Sequence, residues 1–102
     1  MTQPANEYDL LKESALGQHA RIAIENEAIK NAFETLNALY LDAWRQTHIQ
    51  DTAGRERLFQ AVNLIDKVRE HLAILISGGK LADVQIRQIV ADRENPRKRK
   101  RA

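Results

Sequence analysis

The chain has 102 residues, no cysteine and a formal net charge of +2, which bounds it to one domain and excludes disulfide scaffolds and cysteine-ligated zinc. Aromatic residues make up only 5%, fewer than a β-rich fold normally uses, and the four glycines and two prolines are clustered, so long stretches run without a breaker. The expectation is an all-α protein. The residues around Met1 show no basic segment followed by an apolar run, and no stretch approaches the roughly 18 apolar residues of a membrane span. A cytoplasmic protein without a membrane partner is expected, in a bacterial host or within a particle assembled there.

A first helix is predicted over residues 7–24, with Asn6 as N-cap and Glu7 and Asp9 near the positive end of the helix dipole. Its apolar positions, Tyr8, Leu11, Ala15 and Ile22, follow helical spacing, and Gly17 is a weak point where it could break. The second helix is predicted over residues 26–47. There Ile29, Phe33, Leu36, Tyr40, Ala43 and Thr47 alternate four and three residues apart, the seam of a coiled-coil-like packing widened by Leu39 and Trp44. Lys30 with Glu34 and Asp42 with Arg45 have the spacing of supporting ion pairs on its polar face.

Residues 48–54 lose the periodicity, and Asp51 and Thr52 are both good N-cap residues for the helix that follows. The third helix is predicted over residues 55–77, with the seam Leu58, Ala61, Ile65, Val68, Leu72 and Leu75, and a second apolar flank at Phe59, Val62, Leu64 and Ile76. Ser77-Gly78-Gly79 is expected to close it, since glycine just beyond a helix adopts the left-handed conformation without a steric penalty. A short fourth helix is predicted over residues 81–93, with Leu81, Val84, Ile89 and Val90 on one side and Ile86 off it. The expected architecture is an antiparallel hairpin, core residues 26–77, with a short flanking helix at each end, together a helical domain over residues 1–93.

Residues 94–102 are expected to form a disordered basic tail. From Arg93 to Arg101 there are six basic residues and one acid, a local charge of +5 that leaves the remainder at −3. The body is therefore slightly acidic, and the high isoelectric point belongs to the tail. Surplus apolar surface on the third helix calls for cover. A second protomer or the terminal helices could supply it, and self-association as a dimer or ring is expected.

No residue pattern carries chemistry. His19, His48 and His71 lie on different segments without metal-ligand spacing, Gly78-Gly79-Lys80 lacks the strand and spacing of a phosphate loop, and Asp51 with Glu56 is better explained as a cap and a first-turn acid. A non-enzymatic protein without cofactor or metal is expected. The candidate binding residues are Arg97, Lys98, Arg99, Lys100 and Arg101, which would attract DNA or an acidic protein surface through counterion release, without base specificity. The bland alternative is a solubilising terminus. The second candidate is the hairpin tip, with Trp44, Arg55 and Arg57 for stacking and phosphate contacts. There the alternative is that Trp44 closes the core and the arginines pair with Asp51 or Glu56.

The run Ala43-Trp44-Arg45-Gln46-Thr47, then Asp51 to Leu58, Val68 to Leu72 and Gly79 to Ala82, resembles a group of small uncharacterised helical proteins of tailed phages and prophages of proteobacteria. The resemblance covers about the middle half of the chain and implies a phage context among virion-assembly genes, with no activity or site residues to transfer. The helical hairpins of small terminase subunits are an architectural analogy, although this chain shows no helix-turn-helix ahead of its hairpin. The leading expectation is a phage-type assembly or accessory protein, possibly in DNA packaging, that oligomerises through the hairpin. The alternatives are an anti-defence protein that binds a host factor or signalling nucleotide, and a purely structural virion protein.

Overall fold

A computed structural model describes residues 6–95. Within them the chain forms three helices, α1 (Glu7–Glu25), α2 (Glu27–Gln46) and α3 (Thr52–Glu94), and no strand. The protein is all-α. The predicted tail lies outside the described residues except for Glu94, which is still helical, and Asn95, the C-cap of α3.

Each helix start has its own side-chain cap. Asn6 Oδ1 accepts a hydrogen bond from the Asp9 amide at 2.8 Å, Asn26 Oδ1 from the Ile29 amide at 3.1 Å, and Asp51 Oδ1 from the Gly54 amide at 3.0 Å. These bonds satisfy amides that have no partner inside the helix. Asn26 has extended backbone angles, and its own N–H donates to the Ala23 carbonyl at 3.1 Å. One residue therefore ends α1 and starts α2. Gly54 lies in the first turn of α3, where a Cβ would meet the Asp51 carboxylate at 2.3 Å, so its bareness lets the cap fold over the helix end.

The third helix does not stop at Ser77-Gly78-Gly79. It runs through both glycines for 43 residues, and no glycine of the described chain has a positive φ. The expected separate fourth helix is the C-terminal part of α3. At about 1.5 Å per residue a helix of this length spans about 65 Å, which sets the 71 Å long dimension of the molecule. Nor does α1 break at Gly17.

The reason is the same for both corrections. Gly17 and Gly79 are buried against each other where α1 crosses α3. A Cβ built on Gly17 would stand 2.7 Å from the Gly79 Cα and 2.8 Å from the Leu75 carbonyl oxygen. The two glycines let the helix backbones touch, and the contact returns more than the helix propensity that each glycine forgoes. Leu10, Ala20 and Ala82 are buried along the same line, Ser14 Oγ donates to Asp83 Oδ1, and Arg93 pairs with Glu7 at 2.6 Å on the surface.

This crossing also overturns the predicted apolar faces at both chain ends. The sequence line of α1, Tyr8, Leu11, Ala15 and Ile22, is exposed, and Tyr8 keeps 71% of its surface. In the distal part of α3 the residue read as off the face, Ile86, is half-buried together with Ile89 of the predicted face, whereas Leu81, Val84 and Val90 are exposed. Contacts made through small side chains carry little hydropathy signal, so the large apolar residues misdirect the reading there.

The α2–α3 hairpin follows the sequence seam more closely. Arg55 lies over Trp44 and Arg69 over Phe33, so α2 runs antiparallel to the first half of α3 while α1 covers the second half. Leu58, Ala61, Leu72 and Leu75 are half-buried and Ile65 is buried, but Val68 of the predicted seam is exposed. On α2 the seam splits. Phe33, Tyr40 and Thr47 are half-buried, but Ile29, Leu36 and Ala43 are exposed, and α2 has no buried residue at all.

Candidate functional site

The tip is built by a turn in which the Asp51 amide donates to the His48 carbonyl at 2.9 Å and the Gln50 amide to His48 Nδ1 at 3.2 Å. Thr47 Oγ1 ties the end of α2 by donating to the Trp44 carbonyl at 2.6 Å. This brings two of the three predicted tip residues together. The Arg55 guanidinium sits 5.0 Å from the centre of the Trp44 ring, a cation–π arrangement. Trp44, Ile49, Arg55, Glu56 and Phe59 line an open groove of about 440 Å³. Ile49 at its rim is 78% exposed.

Arg57 does not join them. It is exposed and immediately precedes Leu58, on the helix flank that turns away from this groove. Neither arginine makes an ion pair with Asp51 or Glu56, since among the described residues the ion pair is that of Arg93 with Glu7. The Lys30–Glu34 and Asp42–Arg45 spacings likewise hold no ion pair, and Asp42 accepts from Gln46 Nε2 at 2.9 Å instead. The five cations Arg97, Lys98, Arg99, Lys100 and Arg101 lie outside the described residues.

The Glu7 carboxylate, by its hydrogen bond and its charge, holds the Arg93 guanidinium above its ordinary pKa. That leaves Arg93 charged at every accessible pH, next to the basic terminus. No group of three or more His, Cys, Asp or Glu side chains among the described residues could hold a metal ion. None of the helices is long and apolar enough to cross a membrane.

A larger feature is the division of the hairpin into two unlike sides. Phe33, Asn37 and Tyr40 of α2 and Val62, Ile65 and Arg69 of α3 point into the contact. In a helix, each preceding residue lies about 100° round in one sense and each following residue about 100° in the other. In an antiparallel pair, the same sense on both helices leads to the same side of the hairpin. The preceding residues are Ala32, Leu36 and Leu39 on α2, and Ala61, Leu64 and Val68 on α3. All are apolar, and Leu39 and Leu64 are about three-fifths exposed, at 59% and 62%.

The following residues are Glu34, Ala38 and Leu41 on α2, and Asn63, Asp66 and Glu70 on α3. Lys30, Phe33, Glu34 and Arg69 indeed line one groove together, which places the α2 and α3 charges on that common side. One side of the hairpin thus gathers the acids Glu34, Asp66 and Glu70 beside Ala38 and Leu41, and the other is mainly apolar, with Arg57 and His71, which precede the half-buried Leu58 and Leu72, on the same side. Periodicity in the sequence detects apolar residues in surplus of one seam, but which of them share a side depends on the rotational setting of the two helices.

Compared with known proteins, the chain matches no family model, no curated protein and no solved structure.

Proposed function

We propose that this chain is a non-enzymatic assembly protein that self-associates through its helical hairpin and contacts DNA or an acidic partner through its basic C-terminal residues. The observation that carries the reading is the apolar side of α2 and α3, which the protein's own helices leave exposed. Contiguous exposed apolar surface of this kind marks a protein–protein interface. The radius of gyration supports it: 21.3 Å, against the roughly 13 Å of a compact domain of this length. An elongated two-layer hairpin has little interior of its own, and association supplies the missing layer.

The charge partition supplies the second half of the reading. A body at −3 repels nucleic acid, while the cationic segment attracts it. A phage-type assembly role, with DNA packaging as its most specific form, joins these two properties and accords with the resemblance noted in the sequence. The tip supports the host-factor or nucleotide reading less well. Arg55 already occupies one face of the Trp44 ring, so a base would have to displace it or use the other face alone.

The test uses the full chain and a variant lacking residues 96–102. Light scattering should give a mass above 11.7 kDa for both. Only the full chain should bind duplex DNA. Its affinity should fall with salt at a log–log slope of up to about −4.5 for each basic segment engaged, the value for five phosphate contacts. A monomeric full chain, or DNA binding unchanged by the truncation, refutes the proposal.

A further inference from the structure

We infer that the apolar side of α2–α3 is the docking surface for a second copy of this chain, in a two-fold four-helix arrangement with both hairpin tips at the same end. This rests on the self-association proposed above and specifies its surface and its orientation. The occupant follows from the chemistry of the face, which is self-complementary in character. Leu36, Leu39, Leu64 and Val68 have heptad spacing on both helices, so two such faces can interdigitate as the helices of a bundle do.

Charge at the borders of the face selects the orientation. The α2 border carries Asp42, the α3 border carries Lys67, and Arg57 stands on the α3 part of the face, all exposed. From the Trp44–Arg55 and Phe33–Arg69 pairs, Asp42 lies at the same level along the hairpin as Arg57. A two-fold axis parallel to the helices stacks α2 of one copy on α3 of the other, which brings each acidic border over a basic one. An axis perpendicular to the helices stacks α3 on α3 and sets the cations Arg57 and Lys67 against those of the other copy. The first arrangement is attractive and the second repulsive. It also directs the C-terminal ends of both α3 helices to one end, so that the two basic segments act on one polyanion together.

The absence of native cysteine makes a single label site unambiguous. Spin labels on Gln85→Cys, at an exposed position of α3, read the orientation in the full chain. At about 1.5 Å per residue, tips at one end keep the labels within about 40 Å, whereas opposed tips sharing the same face place them about 70 Å apart. The surface is tested by Leu36→Lys with Leu64→Lys, both exposed in the single chain. The double variant should halve the mass measured by light scattering. A native dimer with labels near 70 Å overturns the orientation while leaving self-association intact. A double variant that keeps the full mass overturns the surface. A native chain that is monomeric overturns both this inference and the reading on which it rests.

Discussion

The contact between Gly17 and Gly79 predicts opposite effects for one substitution at two adjacent positions. Alanine at Gly78 meets nothing within 4 Å. There it should realise the full helix-propensity gain over glycine, about 0.8–1 kcal/mol. Alanine at Gly79 places its Cβ 2.8 Å from the Gly17 Cα and 3.3 Å from the Glu13 carbonyl oxygen, both backbone atoms. Carbon atoms pack best at about 3.5–4.0 Å, so the helices must part by about 1 Å along the whole crossing, and such a gap forfeits a quarter to a half of each contact's attraction. With Leu10, Ala20 and Ala82 on that line, an overpacking cost of about 3 kcal/mol minus the propensity gain leaves a net loss of about 2 kcal/mol. At about 4–8 °C per kcal/mol for a domain of this size, Tm should fall by about 10 °C for Gly79→Ala and rise by about 4–8 °C for Gly78→Ala. Circular dichroism melts at matched protein concentration measure both, since an oligomer's Tm depends on concentration. If Gly79→Ala stabilises as Gly78→Ala does, the crossing is not a close backbone contact. If both destabilise, the glycines terminate the helix in a left-handed conformation and the continuous α3 is wrong.

Two further substitutions test local structure. Asn26→Ala removes the side-chain acceptor of the Ile29 amide at the α1–α2 junction and should cost about 1 kcal/mol in urea unfolding; an unchanged midpoint would show that the junction needs no cap. Arg55→Ala frees one face of Trp44 and should cost about 0.5–1 kcal/mol. Because Trp44 is the single tryptophan, its emission should shift in the same variant, and an unaltered spectrum would argue against the stack.

The residues differ in how far their roles can be read without the fold. Asn6 and Asp51 declare helix starts because a short polar side chain beside an uncapped turn has one local use, and both cap as that chemistry requires. The α3 seam through Leu58, Ile65 and Leu72 is legible for a similar reason: large apolar residues repeating at helical spacing have to be covered by something. Gly78-Gly79 is different. A glycine without its Cβ serves a helix end and a backbone crossing equally well, and its neighbours in sequence are compatible with both. Only the presence of Gly17 at the same level of the opposing helix selects the crossing, and that is a tertiary fact.

Once Gly17 and Gly79 set the rotation of α1, Leu10, Gly17 and Ala20 turn inward and Tyr8, Leu11, Ala15 and Ile22 turn out. Likewise Phe33 and Ile65 set which side of the hairpin shows Leu36 and Leu64. Helical content, the capped turns and the segregation of basic charge to the C-terminus are thus consequences of local chemistry, decided within a few residues of sequence. Helix count, the inward faces of α1 and distal α3, and the apolar side of the hairpin are decided only by packing, because a helix with apolar residues on several sides buries those that its nearest neighbour reaches and leaves the rest exposed.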